Sequence, residues 1–249
     1  VIEAMSAFSH VKILLLQARA ADDPAKREEV ESFARRSHIG SDQIETHDLL
    51  QGPPTLREMR AFDAVMIGGA GDYYVSRRDL PAHAEIVEFL GELVHTGCPT
   101  FASCFGFQFL VEALGGEIIF DGANTEVGTF EMTLTPEGEA DPLFGHLPPA
   151  FLAQMGRKDR AAADIQGIPT LARSTAAPIQ AIRVPHQPVW ATQFHPELDR
   201  ETNLSRYSRY LDGYRTVMSD AEIDAALASF RESPETMDLL HRFLKLVLE

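Results

Sequence analysis

The stretch TFASCFGFQ, residues 100–108, decides the fold of this chain. It predicts a short buried strand that runs into Cys104, followed by a helix over 105–114. A nucleophile at a sharp strand-to-helix turn needs small residues two positions away on either side, and Ala102 and Gly106 meet that need. The positive end of the helix would favour the thiolate of Cys104. The alternative interpretation is an inert buried cysteine, because most free cysteines are buried.

Strand-like apolar runs alternate with helical patterns on the N-terminal side of that stretch. Strands are predicted over 12–17, 44–47 and 63–67, and helices over 24–36 and 81–96. This alternation is typical of a parallel sheet with helices on both faces. The predicted fold class is therefore α/β, a doubly wound, flavodoxin-like sheet that is mixed but mostly parallel.

The second half of the chain has a different pattern. Short β-rich segments separated by Pro and Gly predict a mixed or antiparallel extension of the same sheet. These segments are 125–135, 151–155, 170–174, 179–184 and 189–194. Three helices are then predicted, over 198–217, 220–231 and 234–248, and at helical spacing Tyr207, Tyr210 and Tyr214 are expected to form one packed face. We expect one domain over 8–200 and a helical extension over 201–249 packed on it.

The composition excludes several kinds of partner. With 22 Lys and Arg against 37 Asp and Glu, the 249-residue chain has a formal net charge of −15. Such a chain repels phosphate backbones and anionic membranes, so no nucleic acid or membrane partner is predicted. Cys98 and Cys104 make no disulfide framework, and the apolar run Ile13–Leu16 is too short for a membrane span or a signal peptide. The sequence therefore predicts a reduced, cytoplasmic protein.

A second candidate segment, QFHPE, occupies residues 193–197 at the end of a predicted strand. A catalytic thiol needs a base within hydrogen-bond reach, and the base needs an acceptor that fixes its tautomer. His195 can be that base and Glu197 its orienting partner, since residues two apart at a strand end can share a side. No pair of histidines has a metal-ligand spacing with carboxylates nearby, so neither a metal nor a cofactor is predicted.

A third candidate segment, IGGAG, occupies residues 67–71 after a predicted strand. It lacks the Gly-Lys-Ser/Thr of a nucleotide P-loop, and Tyr74 stands where a dinucleotide fingerprint needs a third glycine. What remains is a loop of small side chains whose backbone N–H groups can approach a ligand, as an oxyanion hole requires. A merely flexible turn is the alternative interpretation.

Together these segments resemble class I glutamine amidotransferase domains of the GMP-synthase-like, cysteine-triad type. The resemblance rests on Gly68-Gly69, on Cys104-x-Gly106-x-Gln108 and on the QFHPE segment, which occur in that order. It implies that Cys104 is the nucleophile, with His195 as the base and Glu197 as its orienter.

The same resemblance implies roles for the residues around this triad. The backbone N–H groups of Gly69 and Phe105 would form the oxyanion hole, and Gly68 and Gln108 would bind substrate. The chain departs from the family at Ala70, which replaces the usual proline, and at MGRKD, residues 155–159, where the family often has a histidine. Arg157 or Lys158 would change the charge beside the substrate pocket.

The implied reaction is hydrolysis of the γ-amide of glutamine through a thioester, with release of glutamate and ammonia. A synthetase partner chain would receive the ammonia. The alternatives are a stand-alone γ-glutamyl hydrolase or peptidase, which differs in its leaving group, and a non-catalytic regulator with the same fold. A DJ-1/PfpI-type enzyme is less favoured, because Phe105 stands where that type usually has a histidine.

Overall fold

A central sheet of nine strands organises the chain, and the computed structural model describes residues 8–249 of it. The strands in chain order are β1 (Ile13–Ala18), β2 (Ile44–Asp48), β3 (Ala64–Ala70), β4 (Thr100–Ser103), β5 (Ile118–Phe120), β6 (Glu126–Leu134), β7 (Ala150–Arg157), β8 (Asp159–Ala161), β9 (Thr170–Arg173), β10 (Ala181–Arg183) and β11 (Val189–Thr192). Strands β5 and β8 pair with each other in a small separate sheet, and the other strands form the central one.

Helices flank the sheet on both faces. In chain order they are α1 (Ala25–Ser37), α2 (Leu56–Met59), α3 (His83–Leu93), α4 (Phe105–Ala113), α5 (Pro136–Glu139), α6 (Arg200–Arg209), α7 (Leu211–Arg215), α8 (Asp220–Ser229) and α9 (Leu239–Leu248). Within residues 8–249, no helix is long and apolar enough to cross a bilayer.

The strand order of the central sheet confirms the predicted fold class. The order is β2-β1-β3-β4-β11-β10-β9-β6-β7, and the strands from β2 to β11 are parallel while the remaining pairs are antiparallel. The parallel part has the flavodoxin-like order, in which ligands bind beyond the carboxyl ends of the strands near the point where the order reverses. Strands β3, β4 and β11 all end at that edge, so their following residues meet there.

Alternation along the buried strands divides the core between the two faces. In β1, Leu14 and Leu16 face α3 and α4, whereas Ile13 and Leu15 belong to the opposite core with α1 and α9. Leu239, Leu240, Phe243 and Leu244 of α9 are fully buried. The ring of Phe243 lies 5.4 Å from that of Phe101 and 6.0 Å from that of Trp190, measured between centroids. The last helix thus belongs to the main core.

The structure corrects the helix predicted over 198–217. The chain leaves helical geometry at Tyr210 (φ −99°, ψ 18°), so α6 and α7 are separate helices. The Tyr210 hydroxyl donates to Asp23 (2.6 Å) and accepts from Arg19 (2.9 Å), contacts between distant segments that no local pattern encodes. The helix predicted over 234–248 is also too long, because α9 begins only after a 3₁₀ turn over Pro234–Thr236.

Candidate active site

Cys104 sits in the strained turn between β4 and α4 that the sequence predicts. Its backbone is at φ 50° and ψ −102°, a conformation that residues with side chains rarely adopt. Its N–H donates to the carbonyl of Thr192 at the end of β11 (2.7 Å), which fixes the turn. A Cβ added at Gly106 would lie 2.7 Å from the Ile67 side chain and 2.8 Å from its carbonyl oxygen. Only glycine therefore lets α4 approach β3 so closely.

His195 and Glu197 form a buried pair beyond the end of β11. The imidazole Nδ1 lies 2.6 Å from Oε1 of Glu197, and the His195 backbone N–H donates to the carbonyl of Gln154 (2.9 Å). Glu197 is fully buried and His195 is 5% exposed. With Nδ1 occupied by the carboxylate, Nε2 is the ring atom left for a reacting group.

The electrostatics of this pair favour a charged imidazole. Burial opposes charge on the ring, but the negative charges of Cys104 and Glu197 outweigh it and raise the pKa of His195 to about 10. Burial also opposes charge on Glu197, yet the cations of His195 and Arg206 lower the pKa of its carboxyl. The Arg206 guanidinium lies 3.6 Å from Glu197. At neutral pH the site can therefore hold an imidazolium beside the Cys104 sulfur, and a neighbouring imidazolium stabilises a thiolate.

The sulfur of Cys104 has two further polar neighbours. The side-chain amide of Gln193 lies 3.8 Å from Sγ, and the carbonyl oxygen of Gly156 lies 4.0 Å from it. A Cβ built on Gly156 would be 3.8 Å from Nε2 of His195, so this residue borders the space between the thiol and the imidazole. The small residue at 156 keeps the space between them open.

The two glycines predicted to form a loop, here called the glycine loop, lie instead within the carboxyl end of β3, where an internal carboxylate engages them. The N–H of Gly69 donates to Oε1 of Glu29 (3.1 Å), and a Cβ at Gly68 would lie 2.6 Å from the same carboxyl group. Glu29 is fully buried and accepts from the Arg19 guanidinium at 2.9 and 3.2 Å. Phe105 is the first residue of α4, so its N–H lacks an acceptor within the helix. Of the two expected oxyanion donors, the Gly69 N–H therefore already has an acceptor, whereas the Phe105 N–H has none within its helix.

A pocket of about 380 Å³ opens over the thiol, a volume typical of small-molecule sites. Of the predicted site residues, the structure brings Cys104, Phe105, Gln108 and His195 to its lining. Glu197 lies behind the imidazole. The Gln108 side-chain amide donates to the Asp159 carbonyl (3.2 Å) and to the Gln193 side chain (3.3 Å). Gly68 and Gly69 are not among the lining residues, so their predicted roles remain predictions.

Sequence reasoning missed several residues that shape this site. Arg19 and Glu29 are fully or almost fully buried, and Arg206 lies against Glu197, but none of them belongs to a local motif. Gln193 stands inside the QFHPE segment, without a predicted role.

Among the predicted tyrosines, the rings of Tyr207 and Tyr214 pack 5.2 Å apart, while Tyr210 turns to Arg19 and Asp23 instead. All three line the pocket. Over residues 8–249, no cluster of His, Cys, Asp and Glu has the arrangement of a metal site.

These features define a class of protein: an α/β fold with a cysteine at a nucleophile elbow and a histidine–glutamate pair beside it. The family model for glutamine amidotransferase class-I matches residues 48–209. This match covers more than half of the chain, so the chain belongs to the class-I glutamine amidotransferase family. The predicted resemblance is thereby confirmed.

Individual relatives agree with this assignment. The chain is 28% identical over 166 residues to the glutamine-hydrolysing GMP synthase of Thermosipho melanesiensis, which covers 67% of this chain but only 29% of that enzyme. It is 28% identical over 155 residues to one subunit of the glutamine-hydrolysing GMP synthase of Sulfurisphaera tokodaii, covering 62% of this chain and 78% of its relative. The chain thus matches less than a third of the length of the Thermosipho melanesiensis enzyme.

Solved structures share the fold. A glutamine amidotransferase from Thermotoga maritima superposes with a TM-score of 0.71 at 18% identity, covering 96% of this chain and 99% of that one. A glutamine amidotransferase from Methylobacillus flagellatus gives a TM-score of 0.65 at 18% identity, covering 95% and 90%. These likenesses confirm the flavodoxin-like α/β architecture.

Proposed function

We propose that this chain hydrolyses the γ-amide of glutamine through a thioester on Cys104, releasing glutamate and ammonia. The observation that carries the proposal is the buried His195–Glu197 pair, 2.6 Å between ring nitrogen and carboxylate, in the same pocket as the strained Cys104. A raised imidazole pKa supports this role, because an imidazolium beside the thiol can give its proton to the leaving nitrogen.

The proposed reaction has two covalent steps. The Cys104 thiolate attacks the γ-carbonyl carbon, and His195 gives its Nε2 proton to the leaving nitrogen, so that ammonia departs as the thioester forms. The now neutral imidazole then takes a proton from water, and the resulting hydroxide attacks the thioester. The second tetrahedral intermediate collapses with release of glutamate and return of the thiolate–imidazolium pair.

The negative charge on the γ-oxygen needs backbone donors in both steps. The N–H of Phe105, at the start of α4, is one proposed donor. The N–H of Gly69 is the other, and it can serve only after it leaves Oε1 of Glu29. Binding of substrate therefore has to be accompanied by a local shift of the glycine loop. Gly68 and Gln108 are proposed to support the γ-glutamyl group beside them.

The destination of the ammonia is proposed from the relatives. The Sulfurisphaera tokodaii relative is one subunit of a GMP synthase, which suggests a separate synthetase chain as the acceptor. We also propose a cytoplasmic location, and a division into an amidotransferase domain over 8–200 and a helical extension over 201–249. Contacts of α9 with Phe101 and Trp190 support the packing of this extension on the domain.

A second candidate is a stand-alone γ-glutamyl hydrolase, in which an amine or amino acid replaces ammonia as the leaving group. The position of Lys158 in the pocket lining favours it. A non-catalytic regulator is the third candidate, and the intact Cys104, His195 and Glu197 argue against it.

The test is release of glutamate from glutamine and from γ-glutamyl compounds by the purified chain. We expect Cys104→Ser to lose at least about 10³-fold of the activity, because the thiolate is the nucleophile. The matched control is Cys98→Ser, which removes the other cysteine, outside the pocket. Equal activity of the wild type and Cys104→Ser would refute the thioester mechanism.

A further inference from the structure

One cation in the pocket lining differs from the others in its partners. The lining contains five arginine or lysine side chains: Arg19, Arg157, Lys158, Arg206 and Arg209. Each of the four arginines has a carboxylate oxygen within 4 Å. Within residues 8–249, no carboxylate lies within that distance of the Lys158 ammonium. The mechanism proposed above gives this charge no task.

The Lys158 ammonium is nevertheless held in a defined place. It donates to the Tyr74 hydroxyl (2.7 Å) and lies 4.7 Å from the centre of the Tyr214 ring, within cation–π range. A Cβ at Gly213 would be only 3.2 Å from Nζ, so α7 closes over it. The residue is half-buried. An ammonium has three donors, and the contact with Tyr74 uses one of them.

Gly156 and Tyr214 connect Lys158 to the proposed base. The carbonyl oxygen of Gly156, two residues earlier, lies 4.0 Å from Sγ of Cys104, and a Cβ built on Gly156 would lie 3.8 Å from Nε2 of His195 and 3.4 Å from the Tyr214 hydroxyl. Gly156 and Tyr214 thus lie between the His195 imidazole and the Lys158 ammonium. Of the two proposed oxyanion donors, Phe105 is at the start of α4, and Gly69 approaches the same imidazole ring at Cε1, which lies 3.2 Å from its Cβ position. A group that leaves from the γ-carbon toward His195 therefore departs in the direction of Lys158.

We propose that Lys158, positioned by Tyr74, binds a carboxylate on the leaving group, so that γ-glutamyl amino acids are cleaved in preference to γ-glutamyl amides that lack this carboxylate. This inference rests on the proposed thioester hydrolysis at Cys104. A carboxylate paired with a half-buried ammonium forms a charge-assisted hydrogen bond, which is stronger than a neutral one. In the reaction, His195 protonates the amino nitrogen of the departing amino acid, and the carboxylate stays on Lys158 until release.

The experiment compares γ-glutamylglycine with γ-glutamylmethylamide, which has an N-alkyl γ-amide but no carboxylate on the leaving group. We expect the wild type to prefer γ-glutamylglycine in kcat/KM by about ten- to a hundredfold. Lys158→Met should abolish most of that preference while leaving hydrolysis of γ-glutamylmethylamide within about threefold. Equal losses on both substrates would overturn the proposal, because the carboxylate of the glutamyl group, or the fold, would then be what Lys158 supports.

Arg77→Met is the matched control for charge alone. The Arg77 guanidinium is exposed and stacks 4.1 Å from the centre of the same Tyr74 ring, but it does not line the pocket. Its loss removes the same charge from the same neighbourhood, so the preference for γ-glutamylglycine should stay within about twofold of the wild type. If Arg77→Met reduces the preference as much as Lys158→Met, the effect is a general electrostatic attraction of the substrate carboxylate, and the proposed subsite is refuted.

A second readout separates this proposal from the proposed hydrolysis. If the wild type cleaves no γ-glutamyl compound, the hydrolytic function fails, and the subsite is judged by the chemistry of Cys104 alone. In a Cys98→Ser background, the rates of modification by N-carboxymethylmaleimide and N-ethylmaleimide are compared. We expect Lys158→Met, and not Arg77→Met, to lower the ratio of these rates severalfold. An unchanged ratio would overturn the subsite.

Discussion

The two sides of the pocket differ in how completely they are assembled. On the thiol side, Cys104 is fixed in its turn and His195 already contacts Glu197 at 2.6 Å. On the side of the glycine loop, the N–H of Gly69 is bonded to Glu29, which Arg19 holds in place. The proposed nucleophile and base are therefore organised before substrate arrives, whereas one proposed oxyanion donor, the Gly69 N–H, would first have to leave Glu29. Substitutions on the two sides should therefore differ in their effects on activity, on its pH profile and on stability.

The largest effect is expected for Glu197→Gln on the thiol side. The negative charges of Cys104 and Glu197 together raise the pKa of His195. The amide keeps the shape but removes the second of these charges, and we expect kcat/KM to fall by about 10²–10⁴. Since the proposed proton donor is the imidazolium and the pKa of His195 is raised to about 10, wild-type activity should persist below that pH and decline as pH rises through it. In Glu197→Gln this alkaline decline should move to lower pH.

The measurement is a pH profile of kcat/KM for the wild type and for Glu197→Gln. Glu131→Gln, which removes an exposed carboxylate on β6, is the control and should keep the wild-type profile. If the alkaline limb of the Glu197→Gln profile stays at the wild-type pH, the Glu197 carboxylate does not raise the pKa of the His195 imidazole.

A smaller effect on catalysis, but a clear one on stability, is expected for Glu29→Gln on the glycine-loop side. The change leaves the buried Arg19 without its closest charged partner, so the free energy of unfolding should fall by about 3 kcal/mol. The alkaline limb of the activity should stay where it is in the wild type, since His195 keeps Glu197. Chemical denaturation together with the pH profile checks both parts, and a shifted limb would show that the two sides are not separable.

The same comparison explains what the sequence could predict. The elbow, the QFHPE segment and the parallel half of the sheet follow from local patterns, because a small-residue turn or an apolar strand is encoded within a few neighbouring residues. Glu29, Arg19 and Tyr210 meet only after folding, across separations of up to 191 residues. Nothing near Arg19 in the sequence indicates a contact with Tyr210, and for the same reason no local pattern predicts the break between α6 and α7.

The smallest effect is expected where the two sides touch. A Cβ at Gly69 would lie 3.2 Å from Cε1 of His195 and 3.4 Å from the Arg19 guanidinium, which is slightly too close. Gly69→Ala should therefore displace the imidazole by a few tenths of an ångström and lower kcat/KM severalfold, about 1 kcal/mol in transition-state stabilisation. The measurement is glutamate release, with the rate of Cys104 alkylation as a second readout of the displaced base.

Gly91→Ala is the matched control, since its Cβ would lie 3.8 Å from the nearest atom, the carbonyl oxygen of Ala113. Gly91 is in the interior of α3, where alanine is preferred over glycine by about 0.5–1 kcal/mol, so this variant should be as active and slightly more stable. If Gly69→Ala were equally active, the glycine loop would have enough freedom to move away from His195. The loop shift that frees the Gly69 N–H from Glu29 would then cost little free energy. The two sides of the pocket would differ only in when they reach the catalytic arrangement, before or after substrate binds, and not in how rigidly they are held.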